Sequence, residues 1–282
     1  MSTPVALVLG GHGLLGQPLA QQLAGNGWEA QSLDFEDCNL LNPAELQPRI
    51  EFINPDVIFN TVLNTENPAE KQPQEAFSVN RGLPAFLGGL AEARPDSSST
   101  TARIRFQRPQ GLLTPRRTRP IRSPCAARAA LGEQALLELN ADNICIIRTG
   151  WLFGPDGDSF LKRLLGRAKT EGTVEVIHDQ IGSPTYAKDL AQATLQLVKR
   201  RAPGLYHVAN SGQATWCELA AEAVRQASLP CSVRAVASSD KTLRANYEVL
   251  SSAKYTALTG CPMRPWSQAL REYIYSVLLA SQ

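Results

Sequence analysis

Long apolar runs are missing from these 282 residues: none approaches the roughly 18 consecutive side chains that a helix needs to cross a bilayer. The N-terminal stretch Val5–Gly10 has no basic residues ahead of it and is too short for a secretory signal. Net charge is nearly absent too, since 28 basic and 26 acidic side chains leave only +2. That balance offers no argument for nucleic acid or an acidic membrane as a partner. The six cysteines form no CxxC pair and have no histidine at zinc-ligand spacing. Reduced thiols in a cytoplasmic protein, with no metal site, are the expectation. Histidine is scarce, at three residues, and the first tyrosine is Tyr186. What is present, 43% hydrophobic and 19% charged residues, excludes wholesale disorder. The length suits one large domain, or one domain with a smaller lobe.

Strand-like and helix-like segments alternate through the first third. Val5–Leu9 is an apolar run that ends in glycines, and Leu14, Leu15, Leu19, Leu23 and Ala24 recur at helical spacing up to Gly25. Trp28–Leu33 and Asp56–Val62 read as further strands, and Glu75–Ala93 as a helix. From Ala130 the pattern resumes. Helices are expected over Ala130–Leu139, Ser159–Lys169, Ala187–Lys199, Thr215–Ala227 and Pro265–Leu279. Strands are expected at Ile144–Ile147, Thr173–Ile177, Gly204–Val208 and Ser232–Val236. Such alternation predicts an α/β fold with a parallel sheet covered on both faces.

Residues 94–130 break the pattern. They hold nine arginines, no lysine, one acid (Asp96) and five prolines, with neither strand nor helix periodicity. Their own charge is +8, so the other 245 residues carry 19 bases and 25 acids and are net −6. A structureless insert of this length is unusual inside a compact domain.

The sequence Gly10-Gly11-His12-Gly13-Leu14-Leu15-Gly16 follows a predicted strand and opens a predicted helix, and Asp34 ends the next strand. That context fits a Rossmann-type dinucleotide turn, where glycines let the backbone approach a pyrophosphate at a helix N-terminus. Asp34 suits hydrogen bonds from an adenosine ribose. An acid there repels a 2′-phosphate and leans towards NAD(H) over NADP(H).

With these residues placed, the chain resembles the dTDP-4-dehydrorhamnose reductase family of extended short-chain dehydrogenase/reductases. The resemblance rests on GGHGLLG, NPDVIFNTVLNT (Asn54–Thr65), AFSVN (Ala76–Asn80), RTGWLFG (Arg148–Gly154), DQIGSPT (Asp179–Thr185) and GLYHVANSG (Gly204–Gly212). It implies a Rossmann-type doubly wound sheet over residues 1–148. Residues 149–282 would hold the remaining strands, interleaved with a smaller C-terminal substrate-binding lobe. It also implies NAD(P)H-dependent reduction of the C4 keto group of a dTDP-4-keto-sugar. Gly10, His12, Gly13, Leu14, Leu15 and Gly16 would hold the pyrophosphate, Asp34, Asn39 and Leu40 would lie near the adenosine, and Thr61, Val62 and Leu63 would line the cofactor. Trp151, Gln180 and Thr185 would meet the nucleotide sugar. A homodimer is the implied assembly, with no nucleic acid and no membrane as partner.

The family's proton chemistry is missing. Its reductases use Tyr-x-x-x-Lys, closely followed by Gly-Glu, so that a tyrosine protonates the developing alkoxide. Counting back from Gly132-Glu133 places Cys125 and Ala129 at the two positions, and no Tyr-x-x-x-Lys occurs anywhere. Residues 94–130 therefore stand where the fourth strand and the catalytic motif belong. They are expected to leave backbone groups of the first strand unpaired. The alternatives are a segment read out of frame, a divergent nucleotide or sugar-nucleotide binder without turnover, and a basic nucleic-acid arm. Another sugar-nucleotide reductase or epimerase of the same superfamily also remains open.

Overall fold

The apolar run at the N-terminus becomes strand β1 (Val5–Leu9), the central member of a three-stranded parallel sheet in a computed structural model of the chain. The structure describes residues 2–62, 73–92, 132–139, 142–238 and 246–279. Leu63, Cys125, Ala129 and the whole 94–130 segment lie outside them. Helix α1 (Gly16–Ala24), strand β2 (Glu29–Leu33), helix α2 (Pro43–Ile53) and strand β3 (Val57–Asn60) follow. β2 pairs along one edge of β1, from Val5–Glu29 to Leu9–Leu33, and β3 along the other, from Ala6–Val57 to Leu9–Asn60. This corrects the expectation of unpaired groups on the first strand. β3 takes the second edge of β1, so β1 is bonded on both sides by β2 and β3. Among the described residues β2 and β3 each pair with β1 alone.

The helix expected over Glu75–Ala93 is divided. It runs as α3 (Pro73–Phe77), a π-helical turn (Ser78–Gly82) and α4 (Leu83–Glu92). The wider turn brings Val79 and Asn80 inward, and both are buried. After α5 (132–138) come β4 (Cys145–Arg148), β5 (Leu152–Phe153), α6 (Phe160–Ala168), β6 (Thr173–Ile177), β7 (Ile181–Gly182) and β8 (Thr185–Tyr186). The chain continues through α7 (Ala187–Lys199), β9 (Gly204–His207), β10 (Ala214–Thr215), α8 (Trp216–Gln226), β11 (Ser232–Val236) and β12 (Tyr247–Glu248). Helices α9 (Ala253–Thr259) and α10 (Trp266–Leu279) end it.

β4 and β9 form a parallel pair that shares covering layers with the first sheet. On one face Ala6, Val8, Val57 and Phe59 pack with Cys145, Ile147 and Tyr206 against α1 and α7. On the other, Leu7, Leu9 and Ile58 meet Leu46 and Ile50 of α2 and Leu83 and Leu87 of α4. Ala91, at the far end of α4, packs with Leu136, Ile144 and Ile146. Parallel strands with helices on both faces make the doubly wound α/β arrangement, whose strands are apolar on both sides.

A second core gathers the later elements. β6 pairs in parallel with β11, and α6, α8 and α10 close over Val174 and Val176 with Leu161, Leu164, Leu219, Ala223, Leu270 and Tyr273. Side chains cap two of these helices. Ser159 Oγ accepts the Lys162 N–H at 3.2 Å ahead of α6. Thr215 and Glu218 exchange bonds of 3.0 and 2.7 Å as a capping box ahead of α8. Among the described residues no helix is long and apolar enough to cross a membrane.

Candidate functional site

Of the expected cofactor positions that are described, Gly10, His12, Gly13, Leu14, Leu15, Gly16, Asp34, Thr61 and Val62 lie at the carboxyl ends of β1, β2 and β3, which is where open α/β sheets bind ligands. Gly10 leaves β1 with φ +81°. Its N–H bonds to Leu33 O at 2.9 Å, and its carbonyl accepts the Gly13 N–H at 3.1 Å. Thr61 Oγ1 locks this bend by donating towards Leu9 O at 2.8 Å and Gly10 O at 3.0 Å. At Gly16 a Cβ would overlap Gly10 O, so the helix can start this close to the strand only through glycine. Helix α1 then begins with no side-chain cap and no acidic residue in its first turn. Pro18 has no N–H and the Gln17 N–H bonds to Gly13 O at 3.3 Å, so the anion cradle is made by the positive end of the helix dipole and the backbone of the turn ahead of Gly16.

Asp34 closes one side of the turn. Its Oδ2 accepts the His12 N–H at 3.2 Å and lies 3.2 Å from His12 Nδ1. The Asp34 N–H is fixed in turn by Asp37 Oδ2 at 2.8 Å. Val62 N–H bonds to Asn60 Oδ1 at 3.2 Å, holding the end of β3 beside Thr61. Asn39 and Leu40 are placed differently. Asn39 Oδ1 accepts the Leu41 N–H, its own N–H bonds to Glu45 Oε2 at 3.0 Å, and Leu40 is buried in the core with Leu46 and Ile50. The bond from Asn39 holds the Glu45 carboxyl below its usual range. These two residues shape the loop after β2. Gly10, His12, Gly13, Leu14, Leu15, Gly16, Asp34, Thr61 and Val62 form the turn and its walls.

The segment after β4 approaches the same turn. Gly154 and Gly157 lie against Leu14. Trp151 enters with a left-handed φ of 39° and is buried. Its indole stacks on Trp216 with ring centroids 3.7 Å apart and planes 10° from parallel. Its other neighbour is Gly182, where a Cβ would overlap the ring. Thr185 N–H bonds to Trp151 O at 3.1 Å, and Thr185 Oγ1 donates to Ser183 O at 3.2 Å. Trp151 and Thr185 are therefore adjacent, and Gln180, also buried, leads into Gly182 beneath the indole. Thr149, buried between β4 and Trp151, has a hydroxyl with no hydrogen-bond partner among the described residues.

Two neighbours of these residues are not evident from sequence alone. Trp216 is one, since only its place behind the Thr215 capping box marks it as the start of a helix. The other is a buried polar cluster in which Glu133, on α5, is bonded by Arg148 at the end of β4. Arg148 Nη1 also lies 3.4 Å from His207 Nε2. Burial and the nearby Arg148 push the His207 pKa down, against Glu133, which raises it. Among the described residues no group of acids, cysteines and histidines is arranged to hold a metal ion.

The sequence matches the RmlD substrate binding domain family over residues 5–279. It is 31% identical over 281 residues to the spore coat polysaccharide biosynthesis protein SpsK of Bacillus subtilis, covering 95% of this chain and 96% of that protein. It is also 31% identical over 290 residues to a dTDP-4-dehydrorhamnose reductase of Streptomyces griseus, covering 95% and 92%. The fold superimposes on the crystal structure of a dTDP-4-dehydrorhamnose reductase from Bacillus anthracis in complex with NADP. The TM-score is 0.87, with 24% identity over 98% of this chain and 100% of that one.

Proposed function

The chain belongs to the RmlD substrate binding domain family, and on that premise we propose that it holds an NAD(P) dinucleotide at the glycine turn and a nucleotide sugar beside Trp151, Gln180 and Thr185. The reaction assigned to such a site in this reading is reduction of the C4 keto group of dTDP-4-dehydro-L-rhamnose to dTDP-L-rhamnose, supported by the relatives named dTDP-4-dehydrorhamnose reductase. The observation that carries the reading is the uncapped N-terminus of α1, facing a bend that glycine alone permits at Gly16. The N–H groups of this cradle suit a pyrophosphate, and Asp34 at the end of β2 suits a ribose hydroxyl.

A bound reduced nicotinamide supplies a hydride. The protein must supply a proton to the carbonyl oxygen as that hydride arrives, and its family does so with a tyrosine whose pKa a lysine lowers. Here the aligned positions hold Cys125 and Ala129. A thiol is shorter than a phenol and has no lysine to organise it. A positioned general acid contributes about 10²- to 10⁴-fold to rate. We therefore read the chain as a binder of both ligands whose turnover is lower than an intact reductase by at least about 100-fold.

Titration of intrinsic tryptophan fluorescence with NADH and NADPH, followed by an assay of NADPH oxidation with dTDP-4-dehydrorhamnose, tests both halves. Saturable quenching with negligible oxidation is the expected result. Oxidation at an ordinary enzymatic rate, roughly 1 s⁻¹ or more, overturns the loss of turnover. Absence of saturable quenching overturns the binding.

A further inference from the structure

We infer that the Thr149 hydroxyl is the anchor for the carboxamide of a bound nicotinamide, a contact that holds the reactive ring between the glycine turn and the sugar site. The inference rests on the dinucleotide reading above and deepens it. Three threonines stand around this region, and two of them have hydroxyls that serve the fold. Thr61 Oγ1 donates towards Leu9 O and Gly10 O, and Thr185 Oγ1 donates to Ser183 O. Thr149 is 5% exposed, and its Oγ1 has no hydrogen-bond partner among the described residues. A buried hydroxyl in that state lowers stability, and a valine of the same shape avoids the penalty. A hydroxyl that the free protein leaves unpaired is suited to a partner that arrives with a ligand.

The course of the chain puts Thr149 beside the path of a dinucleotide. Along β4, Ile146 packs on the face of α4 and α5, and Arg148 is bonded on the same side to Glu133 of α5. Ile147 packs on the opposite face, with residues of α1 and α7. Strand alternation carried one residue past Arg148 puts Thr149 on the Ile147 side, that of α1. The Val208 N–H, bonded to Arg148 O at 2.9 Å, keeps this end of β4 paired with the chain after β9. Just beyond Thr149, Trp151 accepts the Thr185 N–H at the proposed sugar site, and Gly154 then lies against Leu14 of the glycine turn. A dinucleotide with one ribose at Asp34 and its pyrophosphate at the turn extends its second half away from β2, across the carboxyl ends of the strands. That half ends between the turn and the sugar, on the side where β4 finishes in Thr149. A carboxamide offers both a donor and an acceptor, and a hydroxyl answers either. Such a bond stops the ring from rotating about its link to the ribose, and so fixes the face that it turns to the sugar carbonyl.

The test is calorimetric titration with NADH and with ADP-ribose, which has the same adenosine, pyrophosphate and ribose but no nicotinamide. Wild type, Thr149→Val and Thr149→Ser are compared, and the melting temperature of each is measured without ligand. Thr149→Val should weaken NADH binding about three- to tenfold, the scale of one hydrogen bond between neutral groups, and leave ADP-ribose binding unchanged. Thr149→Ser keeps the hydroxyl and should stay within about twofold of the wild type for both ligands. The melting temperature of Thr149→Val should equal or exceed that of the wild type. A lower melting temperature overturns the inference, because it shows that the hydroxyl already serves the fold. Unchanged NADH affinity in Thr149→Val, or an equal loss for NADH and ADP-ribose, overturns it too. Saturable binding of ADP-ribose to the wild type confines any such failure to Thr149, whereas a wild type that binds neither ligand overturns the dinucleotide reading as well.

Discussion

The Glu133 carboxylate and the Arg148 guanidinium meet in two parallel hydrogen bonds, one from Nε to Oε2 at 2.9 Å and one from Nη2 to Oε1. The pair ties the start of α5 to the end of β4, with both side chains largely shielded from water. Removing one partner of a buried pair strands the other charge and costs about 3–5 kcal/mol. Glu133→Ala should therefore lower the unfolding free energy obtained from urea denaturation by about that amount. Glu133→Gln combined with Arg148→Met should recover part of the loss, because it leaves no buried charge. A Glu133→Ala variant as stable as the wild type would show that the pair is screened by solvent.

His207 gives this cluster a pH dependence. Its folded-state pKa is depressed, by burial first and then by Arg148. The native state therefore favours the neutral ring, while the unfolded chain takes up a proton near pH 6.5. Its contribution to stability is complete above that pH and is lost as the pH falls through the lower, folded value. Melting temperatures followed from pH 7.5 to pH 5 should fall more steeply for the wild type than for His207→Gln. Parallel curves would rule the imidazole out as the source.

The indole of Trp216 supports Trp151 in its left-handed conformation. Trp216→Ala removes a buried aromatic and should cost about 3–5 kcal/mol in chemical denaturation, while Trp216→Phe keeps part of the stack. In Trp216→Phe the affinity for dTDP-sugar should fall and that for NADH should stay unchanged, since the glycine turn is built on other strands. An equal loss for both ligands would mean that the stack supports the whole fold and not the sugar side alone.

Cys145 lies within the core, and burial pushes its thiol up to about 12. At pH 8 only about one molecule in ten thousand then carries the reactive thiolate. A thiol reagent applied to the native protein should modify the exposed Cys261 and leave Cys145 untouched until the protein unfolds. Peptide mapping by mass spectrometry distinguishes the two sites. Labelling of Cys145 at the rate of Cys261 would show that the strand opens locally.

Where burial repeats at helical spacing, the sequence alone locates the element: α7 runs over Ala187–Lys199 as its periodicity predicts, with Leu190, Ala191, Thr194, Leu195 and Val198 inward. The glycine turn with Asp34 is legible for a related reason, since its contacts are fixed by short loops. α2 is hidden because Pro43 and Pro48 read as breakers. Pro43 is harmless in the first turn, behind the Asn42 cap, and Pro48 is carried within the helix. The π-helical turn at Ser78–Gly82 has no periodic signature of its own. Strand order is hidden as well, because any apolar run can pair with β1 and only packing decides that Val57–Asn60 does. The Trp151–Trp216 stack joins residues 65 positions apart on separate elements, which no local pattern encodes.

The packing of α1 against α7 also bears on how the chain comes to be folded. The first helix finishes at Ala24, yet the face of it covered by Leu190 and Ala191 waits for a helix that begins at Ala187. Lys199 reaches back across 173 residues to Asn26 with a 2.8 Å bond. At about 5–20 residues per second of synthesis, the first helix stays open on that side for about 9–35 s after Ala24 has been made. During that interval Leu19 and Leu23 are accessible to chaperones and to other nascent chains, and the late closure by α7 ends that exposure.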